Sequence, residues 1–258
     1  MRRFAALPWM AGSLVLCVAI VLVWTWLSAS GLVSRAFLPS PERTWAALVT
    51  GLSGTMRWDV LATAERMLVG WVLASLAGVC LGALVGISAH ARALLGPTLE
   101  FLRPLPASAL IPVGIALFGL TQSMVLAVIC FGTLWPMLLS TVRGFAGVEP
   151  RLREVAQLLH LSRWAVISKI ALPNAMPEIL AGMRLGLTVA LILSVVGEML
   201  AGQKGLGLHI LLAARAFRAP DLFAGVILLG VLGLLSNALL GLAGRWVLRW
   251  MPDQARSS

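Results

Sequence analysis

The sequence predicts an all-α membrane protein of about six transmembrane helices, interrupted once by a cytoplasmic loop of short helices. Three observations carry this. Of 258 residues, 60% are hydrophobic and only 12% charged, and the mean hydropathy is +0.96. A soluble domain holds about half apolar and about a quarter charged residues. Such a surplus of apolar surface exceeds what one core hides, so lipid must solvate much of it. Apolar blocks of spanning length recur along the chain, and Lys and Arg fall unequally in the segments between them. The net charge of +10 therefore reads as loops facing anionic headgroups and the cytoplasm. Nucleic-acid binding expects basic residues clustered on one polar face with interleaved aromatics. Here they are scattered between apolar blocks, which excludes it.

The first block, Pro8 to Ser30, follows Arg2 and Arg3 and exceeds the apolar core of a cleaved signal peptide, about 7–15 residues. It is expected as an uncleaved first span, and residues 1–58 as that span plus an external linker containing LPSPERTW and GLSGTMRWD. The second block, Met67 to Ala89, sets Gly70, Ala74, Gly78, Gly82 and Gly86 four apart. Small residues at that spacing line one helical face and let another helix approach closely. Glu65 and Arg66 just before it are expected at the membrane interface. The third span, Leu102 to Leu120, is punctuated by prolines, and Pro112 inside it would remove one backbone hydrogen bond. A helix broken at membrane depth suits a pathway-lining position, where protein or a water-filled cavity satisfies the freed carbonyl. Met124 to Val142, Ile179 to Ala201 and Leu222 to Leu248 complete the set.

With both termini cytoplasmic, inner segments carry thirteen basic residues and outer segments seven. That places Arg143 to Glu178 inside the cell. Ionisable groups in lipid face the bundle interior or snorkel to an interface. Arg184 and Glu198, in or near the fifth span, are thus candidates for the pathway or gate, with a structural contact as the alternative for Glu198. Cys17, Cys80 and Cys130 lie in apolar stretches without close spacing and read as buried, inert thiols. His90, His160 and His209 form no metal motif. GQKGLG, Gly202 to Gly207, lacks phosphate-loop spacing and reads as an external turn.

The cytoplasmic interval is the most informative stretch. Leu152, Val155, Ala156 and Leu159 recur at helical spacing opposite Arg151, Arg153, Glu154 and Gln157. Ser162 is placed to cap a second short helix with Trp164, Ile167 and Ala171 on one face. Pro173 is expected to end it and Pro177 to restart the chain as the next span. Two such helices make a compact knob that would bury its apolar faces against the bundle or a partner.

These residues resemble the "EAA" loop of ATP-binding-cassette (ABC) importer permeases. Glu154 and Ala156 fit that pattern, Val155 replaces its first Ala, and Ile170, Leu172 and Pro173 stand at the expected distances. His160 occupies the position of the pattern's Gly, where a positive φ is open to glycine and costly for His. LPSP at Leu38 to Pro41, LRPLPASALIP, GMRLGL at Gly182 to Leu187 and GEMLAGQKGLG at Gly197 to Gly207 resemble the sulfonate, taurine, nitrate and bicarbonate permeases. The resemblance covers roughly Leu38 to Trp250. It implies a type I ABC importer permease fold, with a permease core over residues 59–250 and a cytoplasmic tail over 251–258.

The same resemblance implies a permease subunit in the bacterial inner membrane that pairs with a second copy. Two cytoplasmic ATPase subunits would grip the loop, and an external solute-binding protein would deliver a small, sulfonate- or nitrate-like solute. Coupling would fall on Glu154, Ala156 and Leu159, with Arg153 and Arg163 as electrostatic contacts. The chain has no GxxxxGK[ST] loop, and its lysines are Lys169 and Lys204 alone. The resemblance therefore assigns no cofactor to this chain and ATP to the partner. A membrane enzyme would need convergent His, Cys or carboxylate groups, and none are evident. A stand-alone channel or secondary transporter is the alternative; such proteins often show internal repeats, and no clear repeat is seen.

Overall fold

A computed structural model describes residues 7–34, 36–102 and 105–251, and among these every regular element is helical. α1 spans Leu7–Ser30, α2 Pro41–Ser53, α3 Met56–Ile87 and α4 Ala89–Leu102. A 3₁₀ turn, Ala107–Leu110, leads into α5, Ile111–Phe118, followed by α6, Gln122–Ala146. Beyond the short α7 (Pro150–Leu158) and α8 (Arg163–Val166), a π turn at Ile167–Ala171 joins α9, Leu172–Ala201. α10 (Leu206–Arg215) and α11 (Ala219–Val247) close the chain.

Among the described residues, four helical stretches are long and apolar enough to cross a membrane: Met56–Ile87, Gln122–Ala146, Arg163–Ala201 and Ala219–Val247. The pair Ala89–Leu102 and Ala107–Phe118, bent by 77°, makes a fifth. α1 coincides with the expected first span, although its described apolar stretch, Val15–Ser30, is short for a crossing.

The core is a three-helix sandwich of α3, α6 and α9, and the glycine ladder builds it. A Cβ added at Gly82 would stand 2.7 Å from the backbone oxygen of Leu138, and one at Gly78 would stand 3.2 Å from that of Leu134. Backbones this close admit no side chain between them, so α3 and α6 lie almost in contact. Gly70 meets Ile129 and Gly86 meets Phe145, so the two helices run parallel. α9 crosses α6 in the opposite sense, with Gly182 against Ser140 and Gly197 against Val125. Met67, Met124, Val125, Ile129, Leu187 and Leu193 fill the middle. The outer flanks of α1 and α11 leave large apolar side chains exposed, among them Leu22, Trp26, Leu234 and Leu239, as a lipid-facing surface requires.

Several boundaries differ from the sequence expectation, each for a physical reason. α3 begins at Met56 rather than Met67 because its polar first turns are paired within the protein: Asp59 lies 3.4 Å from His209, and Thr63 and Arg66 bond Glu198. Arg66 is accordingly buried and not interfacial. No straight span covers Leu102 to Leu120. Pro112 is not inside a helix but in the first turn of α5, where its missing N–H costs nothing. Pro173 does not end the loop helix. The π turn ahead of it lets Leu172 N–H donate to Ile167 O, and the helix runs on from Arg163 to Ala201 through Pro177. Cys17 and Cys80 are exposed on the apolar flank, and only Cys130 is partly buried.

Candidate functional site

Three places on this frame concentrate polar or unpartnered chemistry. The first is the knob of α7 and α8, at the end of the bundle where α6 stops and α9 starts. Its base is firm. Phe145, Val148, Ala171, Ala175 and Ile179 pack together, and the Asn174 side-chain amide donates to Gly144 O at 3.2 Å.

α7 ends in a left-handed turn. His160 N–H donates to Gln157 O and Leu161 N–H to Ala156 O, each at 3.0 Å, with His160 at φ +47°. This is the Schellman pattern of a helix C-terminus, whose left-handed position glycine usually fills. Ser162 then caps α8 by accepting from Ala165 N–H at 3.3 Å. Ala156 is 3% exposed, whereas Leu158 and Trp164 are each 79% exposed, and Leu152, Val155 and Leu159 are also exposed. Glu154 and Arg163 stand in solvent beside them. The side chain of Arg153 lies outside those described. Ile170 is half-buried in the π turn, Leu172 is exposed, and Pro173 opens α9.

At the opposite end of the bundle, Glu198 is 0% exposed. Its Oε1 accepts from Arg66 Nη1 at 2.5 Å, and its Oε2 accepts from the Thr63 hydroxyl at 3.0 Å and from Gly207 N–H at 2.9 Å. Arg66 Nη2 also donates to Lys204 O at 3.2 Å, and the Thr63 hydroxyl accepts from Leu206 N–H at 2.9 Å. One carboxylate thus ties α3, α9 and the turn before α10, with Gly202 of that turn left-handed at φ +62°. Sequence reasoning named Glu198 but not Arg66 or Thr63 as its partners, because they lie 132 and 135 residues away.

The third place is a lateral groove of 420 Å³ between α6, α9 and the 3₁₀ turn ahead of α5, lined by Leu105, Ala107, Trp135, Leu139, Ser140 and Arg143 among others. It brings in none of Pro112, Arg184 or Glu198. Arg184 turns towards α11, with Nη2 3.6 Å from where a Cβ would stand at Gly244. Among the described residues no cluster of three His, Cys, Asp or Glu side chains could hold a metal.

A multi-helix membrane body with close-packed glycine interfaces, an unpartnered knob and a lateral groove defines a transport protein built to work with other subunits. Comparison with known proteins gives the family. Residues 75–252 match the binding-protein-dependent transport system inner membrane component family, to which the chain belongs. It is 33% identical over 245 residues, covering 94% of this chain and 88% of the relative, to the Bacillus subtilis protein named SsuC for aliphatic sulfonates transport. It is 30% identical over 207 residues, 80% of this chain and 73% of the relative, to the nitrate import permease protein NrtB of Leptolyngbya laminosa.

The fold matches a chain of the methionine ABC transporter MetNI in an inward-facing conformation. The TM-score is 0.63 at 18% identity, over 77% of this chain and 96% of that one. The protein is therefore a permease subunit of an ABC importer, an inner-membrane component whose ATP is hydrolysed on a separate subunit. Systems of this family work with an ATPase and a solute-binding protein.

Proposed function

We propose that the α7–α8 knob faces the cytoplasm and is the surface on which the partner ATPase pushes, in an importer of a small anion built around two copies of this chain. The observation that carries the reading is the mismatch at the knob. Leu158, Leu159 and Trp164 are left exposed on a short segment anchored to a rigid base. Exposed apolar groups beside charged ones, here Glu154 and Arg163, suit a protein contact with an apolar centre and a polar rim. Because α8 continues through the π turn into α9 as one helical rod, a displacement of the knob would be carried along α9 to the far end of the bundle. Orientation is supported by the excess of basic residues on the segments that include the knob. An anionic cargo is supported by the relatives named for sulfonates and nitrate.

The test is Glu154→Lys in the assembled importer. It inverts the charge at an exposed helical position, so insertion and folding stay intact while ATP-dependent uptake in vesicles falls at least about tenfold. Unchanged uptake, or a Leu158→Cys label reacting only from outside the cell, would refute the coupling role or the orientation respectively.

A further inference from the structure

The lateral groove carries a feature that membership of the family does not assign. Its walls are apolar, from Leu105, Ala107, Leu139, Leu185 and Val189. Among the described residues its one charged lining residue is Arg143, in the last turn of α6. Among the described residues the guanidinium makes one hydrogen bond, donated to the buried hydroxyl of Ser140 at 3.0 Å. It also faces Glu178 across 3.8 Å, through Nε alone, with both side chains about half exposed. A guanidinium has five N–H donors in a planar fork, so most of this one remains available. Further along the groove Trp135 is 9% exposed, and its indole N–H is buried without an acceptor.

We infer that this groove is a cargo subsite for an organic anion with an apolar body: Arg143 and Ser140 take the anionic head, and the aliphatic walls take the body. The inference rests on the importer reading and sharpens its cargo class. A bare inorganic oxyanion would leave the leucine and valine walls wet and gain only the charge. An organic anion gains both, since burying apolar surface stabilises by about 25 cal/mol per Å². Glu178 acts as a built-in competitor. It occupies one edge of the guanidinium and keeps the site weak enough to release what it holds, as a pathway requires.

The experiment uses the purified full-length chain in nanodiscs, with 1-hexanesulfonate, hexylammonium and nitrate as probes and ligand-dependent thermal stabilisation as the readout. Hexanesulfonate is expected to saturate at a concentration about tenfold below nitrate, with no stabilisation by hexylammonium. Arg143→Gln should raise the half-saturation for hexanesulfonate about tenfold. Glu178→Gln should lower it by about threefold, a gain that a damaged fold does not produce. Arg215→Gln, exposed in the last turn of α10, should change nothing. Equal responses to all three probes, or an unchanged half-saturation in both Arg143→Gln and Glu178→Gln, overturn the subsite. Copurification of Arg143→Gln with the ATPase is scored separately, so loss of the subsite and loss of the importer reading are distinguishable outcomes.

Discussion

The two ends of the bundle solve opposite problems. Around Glu198 the chain meets both carboxylate oxygens itself: a carboxylate, a guanidinium, a hydroxyl and two backbone N–H groups are joined across three elements, with Arg66 Nε left over. Around α7 and α8 the chain leaves apolar side chains uncovered and holds the turn with a residue poorly suited to it. The first end is complete within one subunit, so its residues set stability. The second leaves apolar groups to solvent, and on the coupling proposal its residues set function. Substitutions at the Glu198 end should therefore cost folding, and those at the knob should cost coupling while leaving the fold nearly untouched.

The largest expected effect is at Glu198. Removing one partner of a buried ion pair strands the other in a low-dielectric interior, at a cost of about 3–5 kcal/mol. Glu198→Ala would leave the 5%-exposed Arg66 without its counter-ion. The fraction of full-length protein still monodisperse in detergent after graded heating should collapse well below wild type. Glu198→Gln should fall between the two. If Glu198→Ala survives heating as well as Glu154→Lys does, the contrast between the two ends is wrong.

A smaller loss is expected at Gly205, which shapes the cradle of the same carboxylate. A Cβ there would overlap the Glu198 carboxyl carbon and both its oxygens. The carboxylate cannot swing aside without giving up Arg66, Thr63 or Gly207. Gly205→Ala should cost about 1–3 kcal/mol, in the range of overpacked cores. The same heating assay reads it, and a Glu198→Ala/Gly205→Ala double variant should lose much less than the sum, because the colliding group is gone.

Much of this was legible in the sequence because it was local and periodic. The ladder from Gly70 to Gly86 announces a close helix contact by spacing alone, and Ser162 announces a cap by its position before an amphipathic turn. The misreadings share a different cause. Arg66 looked interfacial because its acidic neighbour Glu65 stands one residue along the helix, on the exposed side; the carboxylate that holds Arg66 inside, Glu198, comes from another helix. Pro112 and Pro173 looked like breaks because a proline's effect depends on its place in the helix. One sits in a first turn, and the other follows a π turn that accommodates its missing N–H. The lateral groove left no periodic trace, because Trp135 and Arg143 meet Leu185 and Val189 only once α6 and α9 are packed.

The smallest and most telling effect is at His160. A non-glycine residue in the left-handed region carries about 1–2 kcal/mol of backbone strain, and His160 holds φ +47° because two hydrogen bonds of the Schellman turn fix it there. His160→Gly removes the clash but also makes the unfolded chain more flexible, which takes back part of the gain. The net expected change is stabilisation of no more than about 1 kcal/mol, read as slower amide exchange at Leu161 and Ser162. His160→Ala separates the causes: it keeps the strain and loses only the imidazole. If coupled uptake changes alike in the Ala and Gly variants, the knob uses the ring itself against its partner. If uptake changes in the Gly variant alone, the knob uses the stiffness of the turn. Either result sharpens the contrast with the Glu198 end, where both oxygens of the carboxylate are already engaged within the chain.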